Sequence, residues 1–253
     1  MNFIARFLFD LQEMSLLAGR AARGIFKKPH YVPEAIAQMD YIGVGSLTII
    51  ILTGFFTGGV LTLQTYQTLE SYGAVDQLGY LVSISLVREL GPVLSALMVT
   101  GRVVSAISAE LGSMVVSEQI DAMRALGTNP MRKLVTPRVI STVVMLFFLT
   151  IISDAFGIAG GGVASSLFFG VDFHQYWSTA WQILVFQDVF MGLAKPVLFG
   201  FIISSIGCYY GISARGGTQG VGRATTQAVV ASSILIITVD FFVTRLSMTL
   251  FGG

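Results

Sequence analysis

Residues 78–114 read LGYLVSISLVRELGPVLSALMVTGRVVSAISAELGSM, and residues 115–138 continue as VVSEQIDAMRALGTNPMRKLVTPR. The first stretch is apolar apart from a few charges, and its 37 residues would extend about 55 Å as a helix, against a bilayer hydrocarbon core of about 30 Å. It is therefore long enough to cross a membrane and project beyond it, delivering the polar island that follows into water. Working outward, nearly uncharged runs recur at residues 43–66, 139–168, 190–212 and 225–250. Each supplies the roughly 20 apolar residues that a crossing needs. Lipid offers no hydrogen bonds to an open backbone, and the two-residue alternation of a barrel is absent, so these spans are helices. The expected fold is all-α: a polytopic integral membrane protein with about five transmembrane helices.

Composition agrees. Of 253 residues, 54% are hydrophobic and only 11% charged, with a mean hydropathy of +0.77, far more apolar surface than a soluble domain covers. A net charge of +1 gives no reason to propose nucleic acid as a partner. Cys208 is the only cysteine and sits in an apolar run, so neither a disulfide nor a thiolate metal cluster is available. His30 and His174 fall on opposite sides of the membrane and cannot share a metal, so no metal site is expected.

The distribution of Lys and Arg orients the chain. Arg6, Arg20, Arg23, Lys27 and Lys28 precede the first span, Arg124, Arg132, Lys133 and Arg138 lie in the island, and Arg215 and Arg223 lie in the fourth connection. The connections at 67–77 and 169–189 hold no Lys or Arg. The N-terminus and the island are thus expected in the cytoplasm. Before the first span, Ile4, Phe7, Leu8, Leu11, Met14 and Leu17 or Ala18 recur at helical spacing while Arg6, Asp10, Glu13 and Arg20 face elsewhere. This is the pattern of an amphipathic helix lying in the interface. Asp10 and Glu13 interrupt the apolar core that a signal peptide requires. Lys28-Pro29 and Val32-Pro33 are read as ending that helix and opening a connector, giving an N-terminal segment over 1–40 and a transmembrane domain over 41–253.

Gly54 and Gly58 in the first span, and Gly157 and Gly161 in the third, match the small-xxx-small pattern of close membrane helix contacts, within one chain or between subunits. Ionisable groups inside spans are costly and point to function. Arg88 and Glu89 fall about ten residues, roughly 15 Å, into the second span. Neighbouring positions diverge by about 100° on a helix, so each needs another partner or a water-filled cavity. Gly91-Pro92 follows at once and bends the helix, which suits the wall of a polar-headgroup pathway. The alternative is that both charges are satisfied by neighbouring helices, such as the one bearing Asp240 and Arg245. Arg102 and Glu110 suit snorkelling or pairing, and Asp154, Asp188 and Lys195 suit buried pairing or boundary anchoring.

Within the island, at about 115–128, Ser117 is placed to cap a short helix, Glu118 and Asp121 favour its first turns, Ile120, Met123, Ala125 and Leu126 take apolar positions, and Gly127 stops it. Exposed Met and Ile on such a helix suit docking into a groove of another protein, with an ordinary linker helix as the alternative.

The motifs LVRELGPVLSALMVTGRVVSAISAELGSM, VSEQIDAMRALGTNPMRKLVTPRV, KPVLFGFIISSIGCYYG and VGRATTQAVVASSILIITVDFFVTRL resemble the MlaE family of ABC-transporter permeases, from about residue 40 to the C-terminus. The resemblance implies a multi-pass bacterial inner-membrane permease that moves phospholipids between inner and outer membranes and maintains outer-membrane lipid asymmetry. It implies a second copy of the chain, a cytoplasmic ABC ATPase carrying ATP and Mg, a STAS-domain accessory protein and a periplasmic MCE-domain hexamer. By the same resemblance the family's coupling helix falls on residues 117–126, making Glu118, Asp121, Met123 and Arg124 contacts to the ATPase. Its lipid cavity would draw on the first, second and fifth spans, placing Arg88, Glu89 and Pro92 near the headgroup.

No enzyme is expected, and no cofactor bound by this chain. Gly217 and Gly222 have phosphate-loop spacing, but Arg223-Ala224 stands where Lys-Ser/Thr is required, and no strand precedes. Closure of a partner ATPase would instead push the short helix and tilt the long second span. Another class remains open, an ion- or proton-coupled carrier using Arg88, Glu89, Asp154 and Asp240 as a relay, as does an ABC permease for sterols or other lipids; the absence of a visible inverted repeat speaks against the carrier.

Overall fold

The computed structural model describes residues 12–21, 23, 31–182 and 184–251. The amphipathic pattern through Ile4, Phe7, Leu8 and Leu11 and the Lys28-Pro29 stop lie outside the described residues; residues 12–21 are helical. Among the described residues every regular element is a helix, and five are long and apolar enough to cross a membrane. They are Val32–Ser71, Val75–Val116, Met131–Phe169, Phe186–Ile212 and Gly217–Phe251, taken below as the first to fifth spans.

Each span is longer than its apolar stretch, and two differences have a clear cause. The connector expected to run to residue 40 ends by Val32, where the first span begins. Pro33 falls in the first turn, where a missing backbone N–H removes no helical hydrogen bond, so Val32-Pro33 opens the first span. In the second span the break at Gly91-Pro92 is not a bare proline kink. Residues Leu86–Leu90 form a π-turn in which the Gly91 N–H reaches back to the Leu86 carbonyl, and a second π-turn covers Thr100–Val104. The wider turn immediately precedes the residue that cannot donate, so the helix continues past Pro92.

The connection at 169–189 contains a helix that the charge pattern gave no reason to expect, Phe173–Gln182. It packs on Leu78–Ser85 and seats Tyr176, only 1% exposed, among Leu69, Leu78, Val82, Leu86 and Ile158. The Tyr176 hydroxyl donates to the Ile158 carbonyl at 3.3 Å, and burial pushes this phenol's pKa up. Trp177 and Trp181 stack along the same helix with ring centroids 6.0 Å apart.

Contacts divide the chain into two compact units. The first holds the described residues up to Val44 with Val99–Met145 and Leu198–Val239. Here Arg138 bridges to Glu110 at 2.8 Å, the Ser141 hydroxyl donates to the Ala35 carbonyl at 2.7 Å, and Arg102 donates to the Tyr41 carbonyl at 3.2 Å with its guanidinium 5.0 Å from the Tyr41 ring centre. The second unit holds Gly45–Met98, Leu146–Val197 and the described residues from Asp240 onward. Its helices meet through glycine. A Cβ at Gly58 would strike the Gly157 carbonyl, one at Gly54 the Ser153 carbonyl, and one at Gly161 the hydroxyls of Tyr176 and Thr62. Lipid tails are as apolar as leucine, so membrane helices gain cohesion from close backbone approach rather than from water exclusion, and glycine permits that approach.

Candidate functional site

The second unit gathers charge inside its membrane-spanning helices. Arg88 and Glu89 are neighbours on the Leu86–Leu90 π-turn, and they reach different partners. Arg88 donates to Asp188 through Nε at 2.6 Å and also through its terminal nitrogen. Asp188, at the start of the fourth span, is 3% exposed, and its other oxygen accepts the Val185 N–H at 3.3 Å. Glu89 accepts a hydrogen bond from Lys195 Nζ at 2.5 Å and one from the Thr244 hydroxyl at 3.0 Å. Lys195 Nζ also lies 2.9 Å from Thr244 Oγ1 and makes an ion pair at 2.9 Å with Asp240. Lys195 is 2% exposed and precedes Pro196, the proline inside the fourth span. The cluster thus contains two cations and three carboxylates, drawn from the second, fourth and fifth spans.

Burial within the cluster is uneven, and the unevenness decides what it can do. The side chains of Lys195 and Asp188 are 2% and 4% exposed, whereas those of Arg88 and Glu89 are 45% and 41% exposed. The buried members hold the geometry while one guanidinium and one carboxylate keep an open side. The expectation that Arg88 and Glu89 need partners other than each other is met by the fourth and fifth spans. Asp188, Lys195 and Asp240 take those places, Thr244 joins them without having been singled out in the sequence, and Arg245 stays exposed. A lysine followed by proline in an otherwise uncharged run was the available signal for Lys195.

Pro92 is buried behind the π-turn. Beside it, a Cβ at Gly91 would collide with the Asp154 carboxyl group, which explains the small residue there. Asp154 is not paired as its sequence position suggested: it is 7% exposed, and its Oδ1 has no hydrogen-bond partner among the described residues.

In the first unit the island between the second and third spans is ordered. A seven-residue helix, Gln119–Ala125, follows Glu118, which adopts the left-handed conformation at φ 58°. Ser117 does not cap it. Its hydroxyl donates back to the Ser113 carbonyl at 2.8 Å, and with Glu118 left-handed the chain turns sharply between the two helices. Gly127, at φ +75°, ends the helix as expected. Ile120 is 3% exposed and anchors the segment, whereas Asp121 and Arg124 form an exposed pair at 2.7 Å and Leu126 is 83% exposed. Met123 is half-buried. Asn129 Oδ1 accepts the Met131 N–H at 3.0 Å, closing the start of the third span. A groove of about 340 Å³ between Ile120, Arg124, Asn129 and Ile212 borders the helix.

Comparison with known proteins adds an independent line. The family described as Permease MlaE matches residues 35–246. A probable ABC transporter permease protein of Rickettsia prowazekii is 43% identical over 234 residues, 92% of this chain and 90% of that protein. The intermembrane phospholipid transport system permease protein MlaE of Haemophilus influenzae is 34% identical over 97% of both chains. The chloroplastic protein TRIGALACTOSYLDIACYLGLYCEROL 1 of Arabidopsis thaliana is 34% identical over 94% of this chain and 68% of its own length.

Proposed function

The chain belongs to the MlaE family of ABC-transporter permeases, and on that premise we propose that it is the membrane subunit of an ATP-driven transporter moving phospholipid between the inner and outer membranes of a Gram-negative envelope. The observation that carries this reading is the half-open ion cluster around Glu89 and Lys195. A phospholipid headgroup presents an anionic phosphate and, in the commonest bacterial lipid, an ammonium group. Arg88 and Glu89 offer one charge of each sign, held in place by buried partners, where a headgroup leaving the interface loses its water. Pro92 and the π-turn give that stretch of the second span a backbone able to shift register locally.

Energy enters from a partner in this scheme. The exposed Asp121, Arg124 and Leu126, with Glu118 and Met123 beside them, form the surface that the ATPase grips, and ATP with Mg binds on that ATPase. The N-terminus and the island face the cytoplasm. Only 11% of the most apolar stretch of the fifth span is buried within the chain, against 50% for the second and fourth, which supports a second copy of the chain against that helix. A STAS-domain protein and a periplasmic MCE-domain hexamer complete the assembly. Nucleotide-driven closure then alters how well the cluster holds a headgroup, and only such a difference in affinity between states moves lipid onward.

The test is transfer of labelled phospholipid by the chain co-reconstituted with its ATPase in proteoliposomes. Glu89→Lys is expected to abolish nucleotide-dependent transfer while the two proteins still co-purify. Unchanged transfer by Glu89→Lys, or full transfer by the chain without nucleotide, removes this reading.

A further inference from the structure

The helix Phe173–Gln182 has no task in that scheme, yet only part of its apolar surface is used by packing within the chain. Tyr176 and Ala180, each 1% exposed, face the protein. Phe173, Trp177 and Trp181 follow one another at i, i+4 and i+8 and form a second apolar stripe beside them, in which Phe173 and Trp181 are 49% and 57% exposed. His174, Gln175 and Ser178 belong to the opposite, polar arc. On that side Gln175 donates to Asp76 at 2.6 Å, and Asp172 accepts the Gln175 N–H at 3.3 Å at the helix start. One side is therefore core, one aromatic and open, and one polar.

Position narrows what covers the open stripe. Three residues separate this helix from Phe169, where the third span ends, and three from Phe186, where the fourth begins. Three residues reach at most about 10 Å, so the helix cannot leave the level at which those spans exit the bilayer. The two span ends are themselves apolar and exposed, through Leu167 and Phe168 on one and Phe186 and Phe190 on the other, whose rings stack 6.3 Å apart. Both tryptophans of the chain stand in the stripe, and the connection at 169–189 holds no Lys or Arg. An indole ring, apolar in body with one N–H, favours the headgroup level over both water and hydrocarbon. An aromatic stripe bordered by a polar arc is the surface that a helix lying flat in that layer presents.

We infer that Phe173–Gln182 is an interfacial anchor, lying flat on the bilayer surface where the third span exits, with Phe173, Trp177 and Trp181 seated at the level of the headgroups and the first acyl carbons. The anchor bears directly on the second span: a Cβ at Gly79 would strike the Tyr176 carbonyl and the Thr179 hydroxyl. From Gly79 to Glu89 the span advances about 15 Å, half of a hydrocarbon core of about 30 Å. A helix held at the surface thus keeps Arg88 and Glu89 near the bilayer middle.

Trp177 and Trp181 are the only tryptophans, so the intrinsic fluorescence of the full chain in phosphatidylcholine vesicles reports on this helix alone. Phosphatidylcholine brominated near the headgroup end of its acyl chains should quench that emission about twofold more than the same lipid brominated near the methyl end, and iodide on both sides of the membrane should quench it little. Trp177→Phe and Trp181→Phe keep the stripe aromatic and leave one reporter each. Trp181, the more open ring, should respond to the shallow bromines more strongly than Trp177. Quenching by iodide with none by either brominated lipid puts the stripe in water, free for a soluble partner. Quenching by none of the three puts it under protein, a second copy included, and strongest quenching by the deep bromines puts it in the hydrocarbon core. Each of these three results overturns the inference.

Discussion

Replacing Lys195 by methionine keeps the length of the side chain and deletes the charge that three groups share. Glu89 loses a hydrogen bond of 2.5 Å, Thr244 one of 2.9 Å and Asp240 an ion pair of 2.9 Å. Removing one partner of a buried pair typically costs about 3–5 kcal/mol, because the remaining charge is left uncompensated. Glu89, 41% exposed, relaxes toward the open side and recovers part of that loss, while Asp240, 19% exposed, recovers less. The expected destabilisation is therefore about 2–3 kcal/mol. Reversible unfolding in mixed micelles, carried out on the parent, Lys195→Met, Glu89→Gln and the double substitution, measures it. Neutralising Glu89 removes one of the two orphaned carboxylates, so the double variant should be more stable than additivity allows, by about 1 kcal/mol or more. If Lys195→Met unfolds within about 0.5 kcal/mol of the parent and the two changes simply add, the ion cluster does not hold these helices.

Further outcomes follow from other parts of the molecule. Gly58→Val places a side chain on the Gly157 carbonyl and should lower stability by about 1–3 kcal/mol, read as a drop in Tm in detergent; an unchanged Tm means that the first and third spans are not in that contact. Asp121→Ala with Arg124→Ala removes an exposed pair worth only about 0.5 kcal/mol, so Tm should hold while co-purification of the ATPase falls; retention of the ATPase at parental levels counts against that surface. The Tyr176 phenol has its pKa raised by burial, so the folded chain favours the protonated form. Its contribution is complete below the ordinary value of 10.0 and declines as the pH climbs past it, so thermal stability should fall from about pH 10 upward. Tyr176→Phe should flatten that part of the decline at the cost of one hydrogen bond, about 1 kcal/mol at neutral pH. A parallel pH profile in the two proteins would place the alkaline loss elsewhere.

Much of the architecture was legible in local chemistry. Apolar length and the absence of alternation make the spans helical wherever they sit, and Gly127 ends the short helix because its φ of +75° suits a residue without a Cβ. Gly54, Gly58, Gly157 and Gly161 were recognisable as contact points, although their spacing left open whether the contact lies within one chain or between two; all four pack within the chain. Where the expectation failed, a backbone detail intervened. Ser117 had the right side chain for a cap, yet a left-handed Glu118 moved the helix start past it. The helix holding Tyr176 does carry a signal, Phe173, Tyr176, Trp177, Ala180 and Trp181 recurring at i, i+3, i+4, i+7 and i+8, but it is too short and too polar to cross a membrane, so apolar length alone does not reveal it.

The chain's own residues determined that it is a bundle of membrane helices, which stretches cross, and that Arg88 and Glu89 could not answer each other, because hydrophobic length and helical periodicity act over a few turns. Tertiary structure decided who does answer them. Asp188 stands 100 positions from Arg88, and Lys195 and Thr244 stand 106 and 155 from Glu89, separations over which no local pattern correlates two side chains. Only the packing of the second, fourth and fifth spans brings those atoms within hydrogen-bond reach. The same packing leaves Asp154 against Gly91 without a partner for its Oδ1, although by sequence alone it looked as ready to pair as Asp188.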